Sequence, residues 1–580
     1  MVFSFFQSAH QRACTWKQKE RQSKIDSLPA LYSTPLSLSE EKTHALSLSQ
    51  LVSECRSGTI APSDIIKAYG KKALQAHEVT NCLTDIMFEE ALNIPSVVNW
   101  GPGVDSEATI HEGVTRERSL LGVPVSIKDT IDIQGHDSTI GFSRNVGRPA
   151  TSSSAIVRLL QDAGALIHAK TTVPPGLLSV ETVSDIFGRT SNPYNPSFTA
   201  GASTGGGGAI VASGGSKIEI GTDLAGSVRI PSHFCGLWTL KGTSGRFPSW
   251  GCGTSLKGLH SVPIVAAPMA GNLADLKEFW KRVVDCEPWR YDHTCVPLTW
   301  RKVDLQDEGR KLKWGVIMED GTIPPSPACK RALSMVITAL KRQGHEVVDF
   351  TPPDVSEGLN LGYQLLFSDG GEQIRSSMSP GERLTKISQG VIDLLGLPKF
   401  FKKILSFLTR SSDPLSSGLF KIMHKKTVVE DRTNVALSDE YRAEWHKKWT
   451  EEGLDFVLTI PYALPAVEHD ASEKTTLMSA GYTFLFSLLD YSAGVLPVTF
   501  VDKDLDSLPK DFYTSAEYQR FTSIGKTAFT AYDPVRMHGL PVGVQIVGRN
   551  FEEEKVLEGM ELVETALREQ GSVFTNQVKL

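Results

Sequence analysis

Cysteine is scarce in this chain, eight among 580 residues, and none of the eight falls in a CxxC pair or a Cys/His knuckle. A zinc site is thereby disfavoured. The nearest grouping, Cys286 with His293 and Cys295, has the wrong spacing for a closed tetrahedral site and is read as packing. There is no surplus of basic charge either, because 60 Lys and Arg stand against 66 Asp and Glu for a net charge of -6. Nucleic acid is a poor candidate partner. No run approaches the roughly 18 apolar residues that cross a bilayer. The apolar start MVFSFF precedes its charges, the reverse of a secretory signal. These features lead us to expect a soluble, reduced, cytoplasmic protein. A Walker A loop is also missing, since neither Gly-rich stretch contains GK followed by Ser or Thr.

What is present is an ordinary globular composition, 40% hydrophobic and 22% charged. At about 150 residues per domain, the length suits several domains or one large α/β unit. Residues 1–46 are polar and helix-compatible and are expected to form an N-terminal helical arm. From Ser47 an amphipathic pair follows, with Leu48, Leu51, Val52 and Cys55, then Ile65, Ile66, Tyr69 and Ala73, at helical spacing. Residues 96–118 are Gly-rich, charged and aperiodic, which reads as a surface loop or insertion. Between Leu121 and Gly271 strands and helices alternate: VPVSIKD, SAIVRLLQDAG closing at Gly164, ALIHAKT, then KIEI between two Gly-rich stretches. Beyond Gly271 come helices over Leu273–Val284 and Ala328–Gln343 and strands KWGVIM, EVVDF, DFVLTI and GVQIVG, with no linker marking a second core.

Gly201-Ala202-Ser203-Thr204-Gly205 matches G-x-S-x-G, the nucleophile elbow of α/β-hydrolases. The preceding SNPYNPSFTA is rich in Pro and Asn and is a poor source of the strand that an elbow needs. A Gly-rich helix entry without chemistry is the bland alternative. Taken together, GASTGGGGAIVASGGSKIEIGTDLAGSVRIPSHFCG resembles the signature of the amidase signature family, usually GGSSGG followed by GTD-x-GGS-x-R-x-P. Further similar segments are GVPVSIKDTIDIQGHDSTIGF, HAKTTVPPGLLSVETVSDIFGRTSNPYNP, LLDYSAGVLPVTFVD and HGLPVGVQIVGR. Within the family the chain is most similar to the fungal acetamidase-like branch.

That resemblance implies a single large amidase-signature domain over 47–570, a mixed twisted β-sheet with helices on both faces, followed by a 571–580 tail. It implies a Ser-Ser-Lys triad, carried over as Ser227 for the nucleophile, Ser203 for the bridging serine after a cis peptide, and Lys128 for the base. Backbone amides of Leu224, Ala225, Gly226 and Ser227 would form the oxyanion hole. Asp223 and Arg229 would fix the loop, and Leu177 and Leu178 would line an acyl pocket for an apolar group. Several positions depart from the family pattern. Ala202 and Ala225 replace glycines, Thr204 replaces Ser, Gly207 stands where this branch often has Glu, and Thr239 and Gly242 replace Gly and Pro.

The chemistry has its own logic. A serine hydroxyl is a weak nucleophile until a base takes its proton, and no Ser-His-Asp arrangement stands out. Alternation along VPVSIKD places Val123, Val125 and Ile127 on one face and Pro124, Ser126 and Lys128 on the other. Burial of that end would disfavour the ammonium and free a neutral amine near physiological pH. The expected function is therefore a serine-dependent amidase that forms an acyl-enzyme and needs no metal or organic cofactor. An acyltransferase or amide-forming enzyme on the same acyl-enzyme, and a catalytically weakened amidase-like protein, are the alternatives. The expected partner is a small-molecule amide; membrane contact is not expected, and a homodimer is left open. IDLLGLPKFFKKILSFL, residues 392–408, is read as two short helices over the substrate channel, in preference to a segment lying on lipid.

Overall fold

The computed structural model describes residues 7–98, 107–109, 115–305, 310–411, 413–475 and 477–578, with 107–109, 115–117 and 477 described through their backbone alone. Its centre is an eleven-stranded mixed sheet. In spatial order the strands are Leu83–Ile86, Leu166–Thr171, Pro124–Lys128, Ile218–Asp223, Val265–Ala270, Trp238–Lys241, Ala493–Phe500, Pro541–Val547, Phe456–Thr459, Lys313–Val316 and Glu346–Asp349. Pro124–Lys128 lies parallel to both neighbours, with Val125 opposite Ile167 and Ile218. Antiparallel pairs fill the middle of the sheet, and parallel pairing returns at the Lys313–Val316 edge. This is the single α/β domain that the alternating pattern and the resemblance lead one to expect.

Local chemistry explains the element starts. Ser47 accepts from the Gln50 amide while the Gln50 side chain returns to the Ser47 amide, a capping box that opens Leu48–Ser57, and Gly58 in the left-handed region closes it. Pro62 opens Pro62–Thr80 at its first turn. The apolar stripes of both helices, Leu48 to Cys55 and Ile65 to Ala73, are buried. Ser154 caps Ala155–Asp162, and Gly164 then turns the chain at φ 84° into the strand Leu166–Thr171.

The N-terminal helix Ala9–Asp26 is held to the sheet domain by polar contacts. Lys17 Nζ meets Asp137 at 2.9 Å, Lys24 Nζ meets Asp85 at 2.6 Å, and His10 Nδ1 pairs with Ser143 Oγ at 2.8 Å. At the other end Phe574 packs on Phe500 and Trp238, with ring centroids 4.7 and 5.9 Å apart. Two readings need correction. Within the 96–118 stretch, Glu107–Thr109 pairs antiparallel with Thr115–Glu117, so it holds a small two-stranded sheet; 99–106 and 110–114 lie outside the described residues. The 392–408 segment does form two helices, Lys386–Gly396 and Lys399–Thr409, of which the first buries Ile387, Ile392 and Leu395. In the second, Lys402 is buried, donating to the carbonyls of Leu395 and Met423 at 3.0 and 2.6 Å, while Phe400, Phe407 and Leu408 are more than 60% exposed. Leu395 and Met423 stand at the C-terminal ends of two separate helices, Lys386–Gly396 and Pro414–Ile422, whose terminal carbonyls the ammonium satisfies, and this turns the apolar face outward. No helix of the described residues is long and apolar enough to cross a membrane.

Lys17→Met would leave the buried Asp137 carboxylate without its cation, a change that costs about 3–5 kcal/mol in comparable buried pairs. The expected outcome is faster limited proteolysis within residues 9–26; an unchanged cleavage pattern would contradict the polar docking of this helix.

Candidate active site

The strand Pro124–Lys128 is buried at every residue. Flanking parallel strands cover its edges and helices its faces, so its last side chain ends in protein. Lys128 has no exposure. Its Nζ lies 2.8 Å from Ser203 Oγ, 3.0 Å from Thr222 Oγ1 and 3.1 Å from the Thr222 carbonyl. An ammonium can donate to all three. A neutral amine keeps two hydrogens and a lone pair, and the Ser203 hydroxyl can then donate to it. Burial pushes Lys128 down to about 7, against the opposing pull of the Asp223 and Glu219 carboxylates.

Ser203 stands at the entry of the helix Gly205–Ala212, after a cis bond between Ala202 and Ser203. The Ala202 methyl is accommodated there. The glycine run lets the helix start lie against the sheet: a Cβ on Gly206 would come within 2.3 Å of the Thr172 amide nitrogen. No strand leads into Ser203, and its side-chain partner is a lysine, so the elbow arrangement is not what the structure has. Ser227 is half-buried. The Thr204 amide donates to the Ser227 carbonyl at 3.1 Å, which sets the two serine segments side by side. Among the described residues no hydrogen bond joins the two serine hydroxyls. The structure thus brings Lys128 and Ser203 into direct contact and leaves the Ser227 hydroxyl unengaged.

A clamp shapes the loop between Asp223 and Arg229. Both residues are fully buried. Arg229 donates to Asp223 through Nε at 3.1 Å and Nη2 at 2.8 Å, and further to the Thr483 carbonyl, Gln545 Oε1 and Ser487 Oγ at 2.8 to 2.9 Å. Burial would raise the Asp223 carboxyl, but Arg229 outweighs it and holds it at about 2. Asp223 also accepts from the Gly226 and Val228 amides at 2.8 and 3.1 Å. This amends the expected oxyanion hole, because the Gly226 N–H already has a carboxylate acceptor. The Leu224, Ala225 and Ser227 amides have none among the described residues. Ala225 sits at negative φ, so its methyl adds no strain; the left-handed side belongs to Gly226 at φ 121°, where a Cβ would lie 2.3 Å from Thr483 Oγ1. Thr483 Oγ1 donates to the Ala225 carbonyl at 2.6 Å.

The two candidate pocket residues separate. Leu178 is buried in an apolar cluster with Phe142, Tyr363, Phe367 and Met478, against which Leu224 and Ala225 pack. Leu177 lies outside that cluster, half-buried at φ 65°. A cavity of about 260 Å³ is walled by Tyr363, Phe367, Ile387, Val391, Met423 and Met478 together with the charged Lys386 and Glu473, and Ser388, which follows Ile387, donates through Oγ to the Leu178 carbonyl.

Sequence reasoning did not find Thr222, Thr483, Ser487 or Gln545. A signal existed for three of them. Thr483 and Ser487 are polar residues four apart in the apolar helix Gly481–Leu488, and Gln545 interrupts the fully buried strand Pro541–Val547. A polar side chain in such a run must have a buried partner.

Arg229→Met leaves Asp223 as an unpaired buried charge. We expect a loss of about 3–5 kcal/mol in stability and at least about 10²-fold in activity, with little recovery in Arg229→Lys, since an ammonium cannot reproduce the planar fork. A Lys variant with normal melting and turnover would refute the clamp.

The family model described as Amidase matches residues 64–557. Similar proteins include Amidase 1 of Gibberella moniliformis, 33% identical over 87% of this chain and 89% of that one. The Acetamidase of Aspergillus oryzae is 30% identical over 91% of both. Fatty-acid amide hydrolase 1 of Sus scrofa is 32% identical over 91% of this chain and 86% of its own. Among solved structures, a fatty acid amide hydrolase superposes with TM-score 0.81 at 24% identity, covering 95% and 94% of the two chains. A 6-aminohexanoate cyclic dimer hydrolase gives 0.65 at 21% identity, covering 90% and 97%. At those identities the structural likeness is one of fold.

Proposed function

The chain belongs to the amidase family and is an amide hydrolase, and from that premise we propose that it works through an acyl-enzyme on Ser227, with Ser203 and Lys128 as its proton relay. The observation that carries this reading is the fully buried Lys128 amine 2.8 Å from Ser203 Oγ. In the first half, Ser227 Oγ attacks the amide carbonyl carbon, its proton passes to Ser203, and the proton of Ser203 passes to the neutral Lys128. The C–N bond then breaks as the leaving nitrogen takes a proton from Ser203, which is resupplied by the Lys128 ammonium. In the second half, water attacks the ester, its proton follows the same relay, and the acid leaves as Ser227 regains its hydrogen. The amides of Leu224, Ala225 and Ser227 receive the developing oxyanion, one such donor being worth about 10²–10³ in rate. Asp223 and Arg229 hold those amides in place.

The acyl group is apolar in this reading. Support comes from Leu178, which shares one apolar cluster with the cavity walls Tyr363, Phe367 and Met478, a cluster against which Leu224 and Ala225 pack. Each methylene buried there contributes about 0.8 kcal/mol, or about four-fold in kcat/KM, until the cavity is full. A series of straight-chain amides should show this rise; a flat or falling series would remove the apolar-acyl assignment.

Because the reactive form is the neutral amine, kcat/KM is expected to rise with pH through about 7 and to reach a plateau above it. Ser227→Ala should lose at least about 10³-fold and all labelling by a fluorophosphonate probe, and Lys128→Met should lose the acid limb along with the rate. Wild-type labelling in Lys128→Met, or labelling on Ser203, would overturn the relay.

A further inference from the structure

Glu219 is a fully buried carboxyl to which the relay gives no part. It stands on Ile218–Asp223, directly opposite Ser126 of the parallel strand Pro124–Lys128. Ser126 and Lys128 are two residues apart and therefore share a face, and Thr171 is opposite Lys128 on the third strand. Ser126 Oγ donates to one carboxyl oxygen of Glu219 at 2.5 Å, and Thr171 Oγ1 donates to the other at 2.6 Å. The carboxyl is thus held by one hydroxyl from the adjacent Lys128 strand and one from the strand beyond it, and so lies across the Lys128 strand. Gly207, one of the departures from the family pattern, makes room for it. A Cβ at 207 would fall 2.4 Å from Glu219 Cγ and 2.5 Å from Oε1.

We infer that Glu219 is a positioning residue for Lys128, the counter-charge that stabilises its ammonium when the amine takes the proton of Ser203. The inference rests on the reading of Lys128 as base. The other ionisable groups facing this lysine are already committed. Asp223 is paired with Arg229. Asp129 accepts from Thr139 and the Ile140 amide at 2.7 and 2.8 Å, with Lys170 near it. Cys252 is a thiol pushed up to about 12 by burial. The helix Gly205–Ala212 that covers this face carries no charge. Glu219 itself is faced by Lys128 and the Cys82 thiol. Among the described residues it has hydroxyl partners and no cation in ion-pair contact. Burial pushes its carboxyl up to about 7, so it gains or loses charge over the range in which Lys128 does. Ser126 can serve either state, because its hydroxyl also lies 3.4 Å from the Ile218 carbonyl and can donate there while accepting from a protonated Glu219.

The sign of the effect follows. A carboxylate beside an amine favours the ammonium, so its removal lets Lys128 release its proton at lower pH and makes it a weaker base. The test is the pH dependence of Ser227 labelling by a fluorophosphonate probe in the full-length protein. Glu219→Gln should move the acid limb down by about one pH unit and lower the plateau several-fold. The exchange Gly207→Glu with Glu219→Gly, which returns a carboxyl to the same space from the helix, should bring the limb back up relative to Glu219→Gly alone. Thr171→Val, which takes one donor from the carboxylate, should shift it in the same direction as Glu219→Gln but less. A uniform loss of rate with an unmoved limb in these variants would overturn the inference and mark Glu219 as packing. If Lys128→Met labels normally, it is the reading of the base that fails. If Lys128→Met is inert while Glu219→Gln keeps the wild-type limb, the role of Glu219 alone is refuted.

Discussion

The site is organised around a lysine amine that cannot reach water. Solvent would keep such a group charged far above neutrality; inside this sheet its hydration is replaced by two hydroxyls and one carbonyl. Hydroxyls can reverse their hydrogen bonds and a carbonyl cannot. The surroundings of Lys128 therefore tolerate both protonation states without rearrangement. That tolerance depends on the sheet, because only a strand covered on both faces delivers a long polar side chain to a dry position.

The loop between Asp223 and Arg229 depends on a second buried charge, and the two are kept distinct. Asp223 is strongly ionised by its bidentate guanidinium, whereas the nearby Glu219 is held by neutral hydroxyls alone. Two carboxyls on one strand thus have opposite electrostatic characters. One is held charged by Arg229 and organises the backbone, and the other is pushed up by burial. The separation arises from partners and not from depth, since both are fully buried. It also explains why Gly226, at φ 121°, has no substitute here, since its amide must turn back to Asp223 while its Cα faces Thr483.

Much of the fold was legible because its periodicities are strong. The stripe Leu48 to Cys55, the stop at Gly164 and the alternation in VPVSIKD each follow from local rules, and the structure follows them. Legibility failed where a local pattern had two solutions. In 399–408 the same spacing permits phenylalanines inward or Lys402 inward, and the unsatisfied carbonyls at the Leu395 and Met423 ends decide for the lysine. The short pair Glu107–Thr109 and Thr115–Glu117 has no apolar alternation to announce it. At the site, the motif carried Lys128, Ser203 and Ser227, whereas for Thr222, Thr483 and Gln545 the sequence shows at most that a buried polar side chain needs a partner, and not which one. They are chosen by three-dimensional proximity, which a linear reading does not contain.

The reach of Arg229 along the chain has a temporal consequence. Its guanidinium joins Asp223, six residues away, to Gln545, 316 residues further on. During synthesis, Lys128, Ser203 and Ser227 leave the ribosome long before that last acceptor does. A growing chain therefore carries all three while the loop between Asp223 and Arg229 still lacks its fastening to Gln545. That fastening exists only once Pro541–Val547, which pairs with both Ala493–Phe500 and Phe456–Thr459, has been made.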